Sequence, residues 1–111
     1  MPYLQLDDLR LAALQMMDRG SYAAKAIDFF SQPGVWRRPA EELCDALQEV
    51  GRRLEPAIES VILHHLASGG PVVIEGDAIL PSLSKRPALE EYLQDGRLKA
   101  VFLAEPNEDA L

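Results

Sequence analysis

Four acidic residues stand in two places where a predicted strand ends. They are Asp7, Asp8, Glu75 and Asp77. In open parallel sheets the ligand crevice lies at the carboxyl ends of the strands. Carboxylates at that position hold a hydrated magnesium ion and accept the proton of a substrate hydroxyl, which are their roles in phosphoryl transfer. The residues also allow a plainer interpretation, in which the first pair caps a helix and the second forms a polar turn.

Three short apolar segments predict the strands that would position these acids: Tyr3–Leu6, Pro71–Ile74 and Leu98–Leu103. The middle segment is rich in β-branched residues and does not alternate, so it predicts a strand covered on both faces. The order strand, helices, strand, helix, strand implies right-handed crossovers. The predicted fold class is therefore α/β, a parallel three-stranded sheet with flanking helices.

Helical spacing of apolar residues fills the intervals between the strands. Ser21 is the predicted N-cap of the second helix, and Pro39 lies in the first turn of the third. Pro56 should bend that third helix, but the apolar spacing continues on both sides and predicts a single element. The predicted helices run from Leu9 to a stop at Gly20, over Ser21–Phe30, from Pro39 to a stop at Gly69, over Ala88–Gln94, and onward from Asn107.

Composition narrows the class of protein further. The length of 111 residues suits a single domain. The 11 basic and 18 acidic side chains give a net charge of −7. We expect no nucleic-acid binding, because the charge balance is acidic and the basic residues cluster no further than pairs such as Arg37-Arg38. The single Cys44 forms no intramolecular disulfide, the N-terminus lacks a basic region, and no segment is apolar enough for a membrane span. We therefore expect a cytoplasmic protein without membrane contact.

Three segments resemble the second, third and fourth strands of P-loop small-molecule kinases, similar to 2-phosphoglycerate kinase and uridine kinase. They are Pro2–Arg10, Val72–Asp77 with Leu80-Pro81 after it, and Val101–Pro106. The resemblance covers nearly the whole chain and implies that residues 1–111 form one partial domain of a three-layer P-loop sandwich. The family's G-x-x-x-x-G-K-[ST] phosphate loop is missing, because the only glycine pair, Gly69-Gly70, is followed by Pro-Val. The resemblance thus implies a portion of an ATP-dependent phosphotransferase that is inactive by itself.

The resemblance also implies roles for particular residues, with magnesium and ATP as cofactors and a small-molecule hydroxyl as substrate. Asp7 or Asp8 would orient or deprotonate that hydroxyl, and Arg10 would face an anionic group of the substrate. Magnesium would be held through water by Glu75 with Asp77 beside it. Arg37 and Arg38 would contact a phosphate group of the substrate. Solvated arginines are the alternative to these roles, and Trp36 either lines a substrate pocket or anchors its loop.

In the resembled fold a further strand separates Val72–Glu75 from Lys99–Leu103, by about 9.5 Å. Unpaired backbone groups in such a gap are unfavourable. We expect the two strands to close up and pair directly. The alternatives are a strand donated by a second copy or a partner, and a marginally folded fragment that aggregates. A different function remains open, that of a non-catalytic acidic α/β module that binds a partner protein.

Overall fold

The computed structural model describes residues 2–102 and is mostly helical, with one parallel sheet of two strands. The chain divides into two compact units, Met1–Leu80 and Pro81–Leu111. The elements are β1 (Tyr3–Gln5), α1 (Leu6–Met16), α2 (Tyr22–Ile27), α3 (Ala40–Ser68), β2 (Val73–Glu75) and α4 (Pro87–Gln94), with 3₁₀ turns at Phe29–Ser31, Val35–Arg37 and Pro81–Lys85.

The sheet pairs β1 with β2 in parallel, as expected, with Leu4 opposite Ile74. The Val73 amide donates to the Pro2 carbonyl oxygen at 2.9 Å. Burial alternates along both strands, so that Leu4 and Ile74 are half-buried whereas Tyr3, Val73 and their neighbours at the next odd positions are exposed. The prediction of a strand covered on both faces is therefore wrong, because the side chains of one face meet solvent.

The predicted third strand is absent from the part of it that the structure describes, residues 98–102. The Leu98 amide instead donates to the Tyr92 carbonyl oxygen at 3.0 Å, closing a turn at the end of α4 around Gly96, where φ is +85°. Val101 is 84% exposed, so the predicted Val73–Val101 pairing is wrong. An extended segment becomes a strand only when it pairs with a partner edge in register, and residues 98–102 form no such ladder. Leu103 and the helix predicted from Asn107 lie outside the described residues.

The fold class predicted from the sequence is therefore wrong. A three-stranded sheet and a three-layer sandwich were expected, and the described residues form helices around a sheet of two strands. None of the helices in this described part is both long enough and apolar enough to cross a membrane.

Helix α1 begins earlier than predicted, at Leu6, directly after β1. Its N-cap is Gln5, so Asp7 and Asp8 do not cap it but lie in its first turn, where carboxylates favour the positive end of the helix dipole. Leu6 is buried and ties the strand–helix junction to the core. The Ser21 cap of α2 is confirmed, since its hydroxyl oxygen accepts from the Ala24 amide at 3.1 Å.

Helix α3 is one element that continues through Pro56, as predicted, and it ends at Gly69 with φ of +75°. Its buried stripe steps by four residues and supplies much of the core of the first unit: Val50, Leu54, Ile58 and Ile62. Leu14, Ala24 and Ile27 form a further buried cluster between α1 and α2. Together these side chains form much of the apolar core of the first unit.

Gly51 of α3 fixes the chain that follows β2. A Cβ at this position would lie 2.7 Å from Leu80 Cγ and would also overlap the Ala78 carbonyl oxygen. Only glycine allows this close approach, so the course of the segment after Asp77 depends on α3.

In the second unit, the helix predicted over Ala88–Gln94 is confirmed as α4, with Pro87 in its first turn. Among the described residues of this unit, the buried side chains are Leu83 of the preceding 3₁₀ turn and Leu89 of α4.

Candidate functional site

The two strands end side by side, which brings their acidic residues to one edge of the sheet. Gln5 pairs with Glu75, and the following positions, Leu6 and Gly76, are so close that a Cβ on the glycine would overlap Leu6 Cβ. The predicted parallel arrangement is confirmed. The edge at the carboxyl ends of β1 and β2, called here the acidic edge, carries four exposed acids: Asp7, Asp8, Glu75 and Asp77.

Glu75 has a partner that the sequence did not reveal. Its carboxylate accepts a hydrogen bond from the Tyr3 hydroxyl, and this bond is the main reason why the pKa of Tyr3 is raised above 10.0. The two residues lie on the same exposed face of the sheet, one diagonal step apart across the strands. The register of β1 against β2 is the signal that would have found the pair, since odd positions of both strands share that face.

Arg10 is held by the protein itself. Its Nη1 donates to the Ile27 carbonyl oxygen at 3.2 Å and lies 3.7 Å from Asp28 Oδ1, and its Nε donates to Asp7 Oδ1 at 3.3 Å. The side chain is only 15% exposed. Arg10 therefore joins α1 to the end of α2 and orients Asp7, and its predicted contact with a substrate anion stays a prediction.

Arg37 and Arg38 lie on a second surface, in the loop between α2 and α3. The Arg38 guanidinium lies 5.2 Å from the centre of the Phe29 ring and 3.7 Å from a Glu42 carboxylate oxygen. Trp36 is 73% exposed, and the residue that anchors the loop is Val35, which is 2% exposed. Trp36 also packs on Phe30 at 5.2 Å between ring centres, so both alternatives for Trp36 stay predictions. Contact of Arg37 or Arg38 with phosphate stays a prediction.

A shallow groove of about 530 Å³ lies in the first unit, between β1 and the later part of α3. Pro2, Val72 and His65 are among its lining residues, and the first two precede β1 and β2. His65 Nδ1 is 2.9 Å from the Gly70 carbonyl oxygen, a contact that stabilises the end of α3. Tyr3 and Leu9 also line the groove, so it extends along β1 to the early part of α1.

Magnesium held through water at the acidic edge stays a prediction. Magnesium usually keeps several waters and uses one or two carboxylates. Asp77 and the part of the Glu75 carboxylate not engaged by Tyr3 provide that number. Among residues 2–102 no group of three or more His, Cys, Asp or Glu side chains is arranged so that it could hold a metal ion.

The described residues do not suit the phosphates of ATP. The pair Gly69-Gly70 ends a helix instead of beginning one, and it is followed by Pro71. A phosphate loop needs backbone amides at a helix N-terminus with a lysine close by. No step of a reaction is therefore derived through ATP for this chain alone.

Comparison of the chain with protein-family models, with curated proteins and with solved structures finds no match. The function has to be inferred from the geometry of the chain itself.

Proposed function

We propose that this chain forms the acceptor-side part of an ATP-dependent small-molecule phosphotransferase and does not turn over ATP by itself. The observation that supports the proposal is the parallel pairing of β1 with β2, which gives four carboxylates one common edge. This edge is where an open parallel sheet places its ligand.

Within this proposal Asp8 is the residue that takes the proton of the acceptor hydroxyl. It is exposed in the first turn of α1 and makes no ion pair in the described part of the chain. Asp7 is already engaged by Arg10, and this contact stiffens the turn on which Asp8 stands. Glu75 and Asp77 are the exposed carboxylates that would hold the ion through water. Magnesium, when bound, neutralises the charge on the phosphates.

Paramagnetic broadening by Mn²⁺, used in place of magnesium, tests this proposal. We expect saturable broadening of amide signals at 6–8 and 75–77, and we expect Asp77→Asn to weaken it severalfold. Asp45→Asn is the matched control, because Asp45 is an exposed acid on α3. Broadening that is equal in both variants, or spread over all exposed acids, would contradict the proposal.

Calorimetric titration with magnesium ATP tests the second half of the proposal. We expect no binding in the micromolar range, because positioning and electrostatics supply nearly all the catalysis of this reaction and the described residues form no phosphate loop. Tight binding would assign the nucleotide to a site outside the acidic edge and would reject the division of roles proposed here.

A cytoplasmic location accompanies this proposal. Its support is the exposed free thiol of Cys44, which persists in a reducing compartment. Fractionation of cells that express the tagged chain, with the cytoplasmic fraction as the expected place, is the test.

The non-catalytic alternative is supported by a different observation. The edge of β2 that faces away from β1 pairs with no strand among residues 2–102. Val73 directs its amide toward β1, so the peptide groups of Ile74 point away from β1. An isolated pair of strands is marginal in water, and a third strand from a second copy or a partner would add hydrogen bonds along this edge. Proline at position 74 blocks such pairing without removing the Val73 bond.

Sedimentation of the wild-type chain and of Ile74→Pro distinguishes the two functions. An assembly that dissociates in Ile74→Pro while its helical circular dichroism persists supports strand pairing. A wild-type chain that stays monomeric over the accessible concentration range rejects pairing with a second copy.

A further inference from the structure

The loop between α2 and α3 carries a cluster of rings at its surface. The segment Phe29–Arg38 is called here the aromatic segment. Phe29 and Phe30 meet edge to face at 5.1 Å between ring centres, and Trp36 packs on Phe30 at 5.2 Å. Trp36 nevertheless leaves 73% of its surface exposed. Aromatic residues held in this way supply large contact areas at protein interfaces.

The backbone of the aromatic segment is fixed before any partner arrives. A series of turn hydrogen bonds runs along it: Ser31 to Asp28, Gln32 to Phe29, Val35 to Gln32, Arg37 to Gly34 and Arg38 to Val35, all between 3.0 and 3.3 Å. Val35 points into the core, and Gly34 adopts the left-handed φ of +72° that this turn requires. A preordered surface loses little conformational entropy on binding.

The charge of the aromatic segment is opposite to that of the chain. The whole chain carries −7, whereas this segment contains Arg37 and Arg38 and no acid. Arg38 is shared among Phe29, Gln32 and Glu42. The Arg37 guanidinium has no hydrogen bond or ion pair with any residue of the described chain, and it follows directly after the exposed Trp36.

We propose that the aromatic segment is a docking surface for an acidic segment of a partner protein, which packs an apolar side chain on Trp36 and pairs a carboxylate with Arg37. Charge complementarity selects this partner, since a free cation beside an exposed ring suits an anionic chain with an apolar neighbour. This inference is independent of the metal and the phosphoryl transfer proposed at the acidic edge.

Fluorescence offers a direct test, because Trp36 is the only tryptophan of the chain. The probe is a short acetylated peptide of alternating Glu and Leu without tryptophan. We expect a saturable blue shift of the Trp36 emission that weakens as salt is added. The same peptide with Lys in place of Glu should produce no shift.

Two charge-removing variants show whether the contact is local. Arg37→Ala should weaken binding of the acidic peptide at least about fivefold, as expected for a residue at the centre of an interface. Lys25→Ala removes the same charge from an exposed position on α2 and should change binding less than about twofold. Equal weakening by both variants would reduce the effect to general charge attraction and overturn the proposal.

Three further results would also overturn it. The first is the absence of a saturable shift with the acidic peptide. The second is displacement of the peptide by inorganic phosphate at matched ionic strength, which would assign Arg37 to a small anion. The third is a shift that depends on protein concentration without peptide, which would assign the aromatic segment to contact between copies of this chain.

Discussion

The acidic edge and the aromatic segment belong to the same unit of the chain, carry opposite charge and are held in different ways. The acidic edge depends on the register of two short strands and on the close approach of Gly76 to Leu6. The aromatic segment depends on local turns and on one buried side chain, Val35. One surface is therefore built from contacts distant in sequence, whereas the other is built from contacts within ten positions of each other.

This difference separates their sensitivity to substitution. A change at the strand ends should disturb the carboxylates and leave Trp36 unaffected, and a change under the loop should do the reverse. A substitution that disturbs both surfaces would show that they are coupled.

Gly76→Ala should have the largest effect. The new Cβ would meet Leu6 at the start of α1, and overpacking of this kind costs about 2–3 kcal/mol. Urea unfolding followed by circular dichroism measures the loss. The control is Gly20→Ala, where the nearest atom is Asp18 Oδ1 at 3.5 Å and the cost should be below about 1 kcal/mol. Equal stability of both variants would contradict the close contact between the strand ends.

Val35→Ala should come next, with a loss of about 2 kcal/mol from removed apolar contacts and the cavity that remains. Val35 is 2% exposed, and its removal should loosen the aromatic segment and shift the Trp36 emission to the red. Val101→Ala is the matched control, because that side chain is 84% exposed. An unchanged emission in Val35→Ala would show that Val35 does not fix the loop.

Arg10→Ala should cost about 1–2 kcal/mol, because it removes a hydrogen bond from a charged donor to the Ile27 carbonyl oxygen. Arg19→Ala removes the other arginine beside Asp28 from a more exposed position and should cost less. Thermal unfolding compares the two. A neutral Arg10→Ala would favour a role in binding a substrate anion over the structural role observed here.

Glu75→Gln should have the smallest effect, a return of the pKa of Tyr3 toward 10.0, because the carboxylate bond that favours the protonated phenol is lost. Since the native pKa is raised, this contact stabilises the fold below pH 10.0 and ceases to do so as pH rises through the native value. An NMR titration of the tyrosine ring signals measures it. An unchanged pKa of Tyr3 would separate Glu75 from the phenol.

The sequence predicted best those elements whose determinants are local. The prediction of α3 as one helix across Pro56 was correct because its apolar spacing persists on both sides. The prediction of the Ser21 cap was correct because the hydroxyl before a helix lies close to a free backbone amide in the first turn. The end of α3 at Gly69 follows from the left-handed conformation that glycine tolerates.

The sequence predicted poorly those features that require a partner distant in the chain. Residues 98–102 are apolar enough for a strand, but a ladder needs a free edge in register. The Tyr3–Glu75 bond likewise depends on the register of β1 against β2. The charge of Arg10 is evident from its residue type, but only the fold shows that its guanidinium already contacts the Ile27 carbonyl oxygen and Asp28.

We expect the acidic edge and the aromatic segment to bind their ligands independently, and one amide-resolved NMR sample titrated with both probes measures this. Mn²⁺ should broaden signals at 6–8 and 75–77 and leave the Trp36 indole unchanged. The acidic peptide should then shift the Trp36 indole without restoring the broadened signals. Broadening of the Trp36 indole by Mn²⁺, or loss of the peptide-induced shift once Mn²⁺ is bound, would show that the two surfaces are coupled.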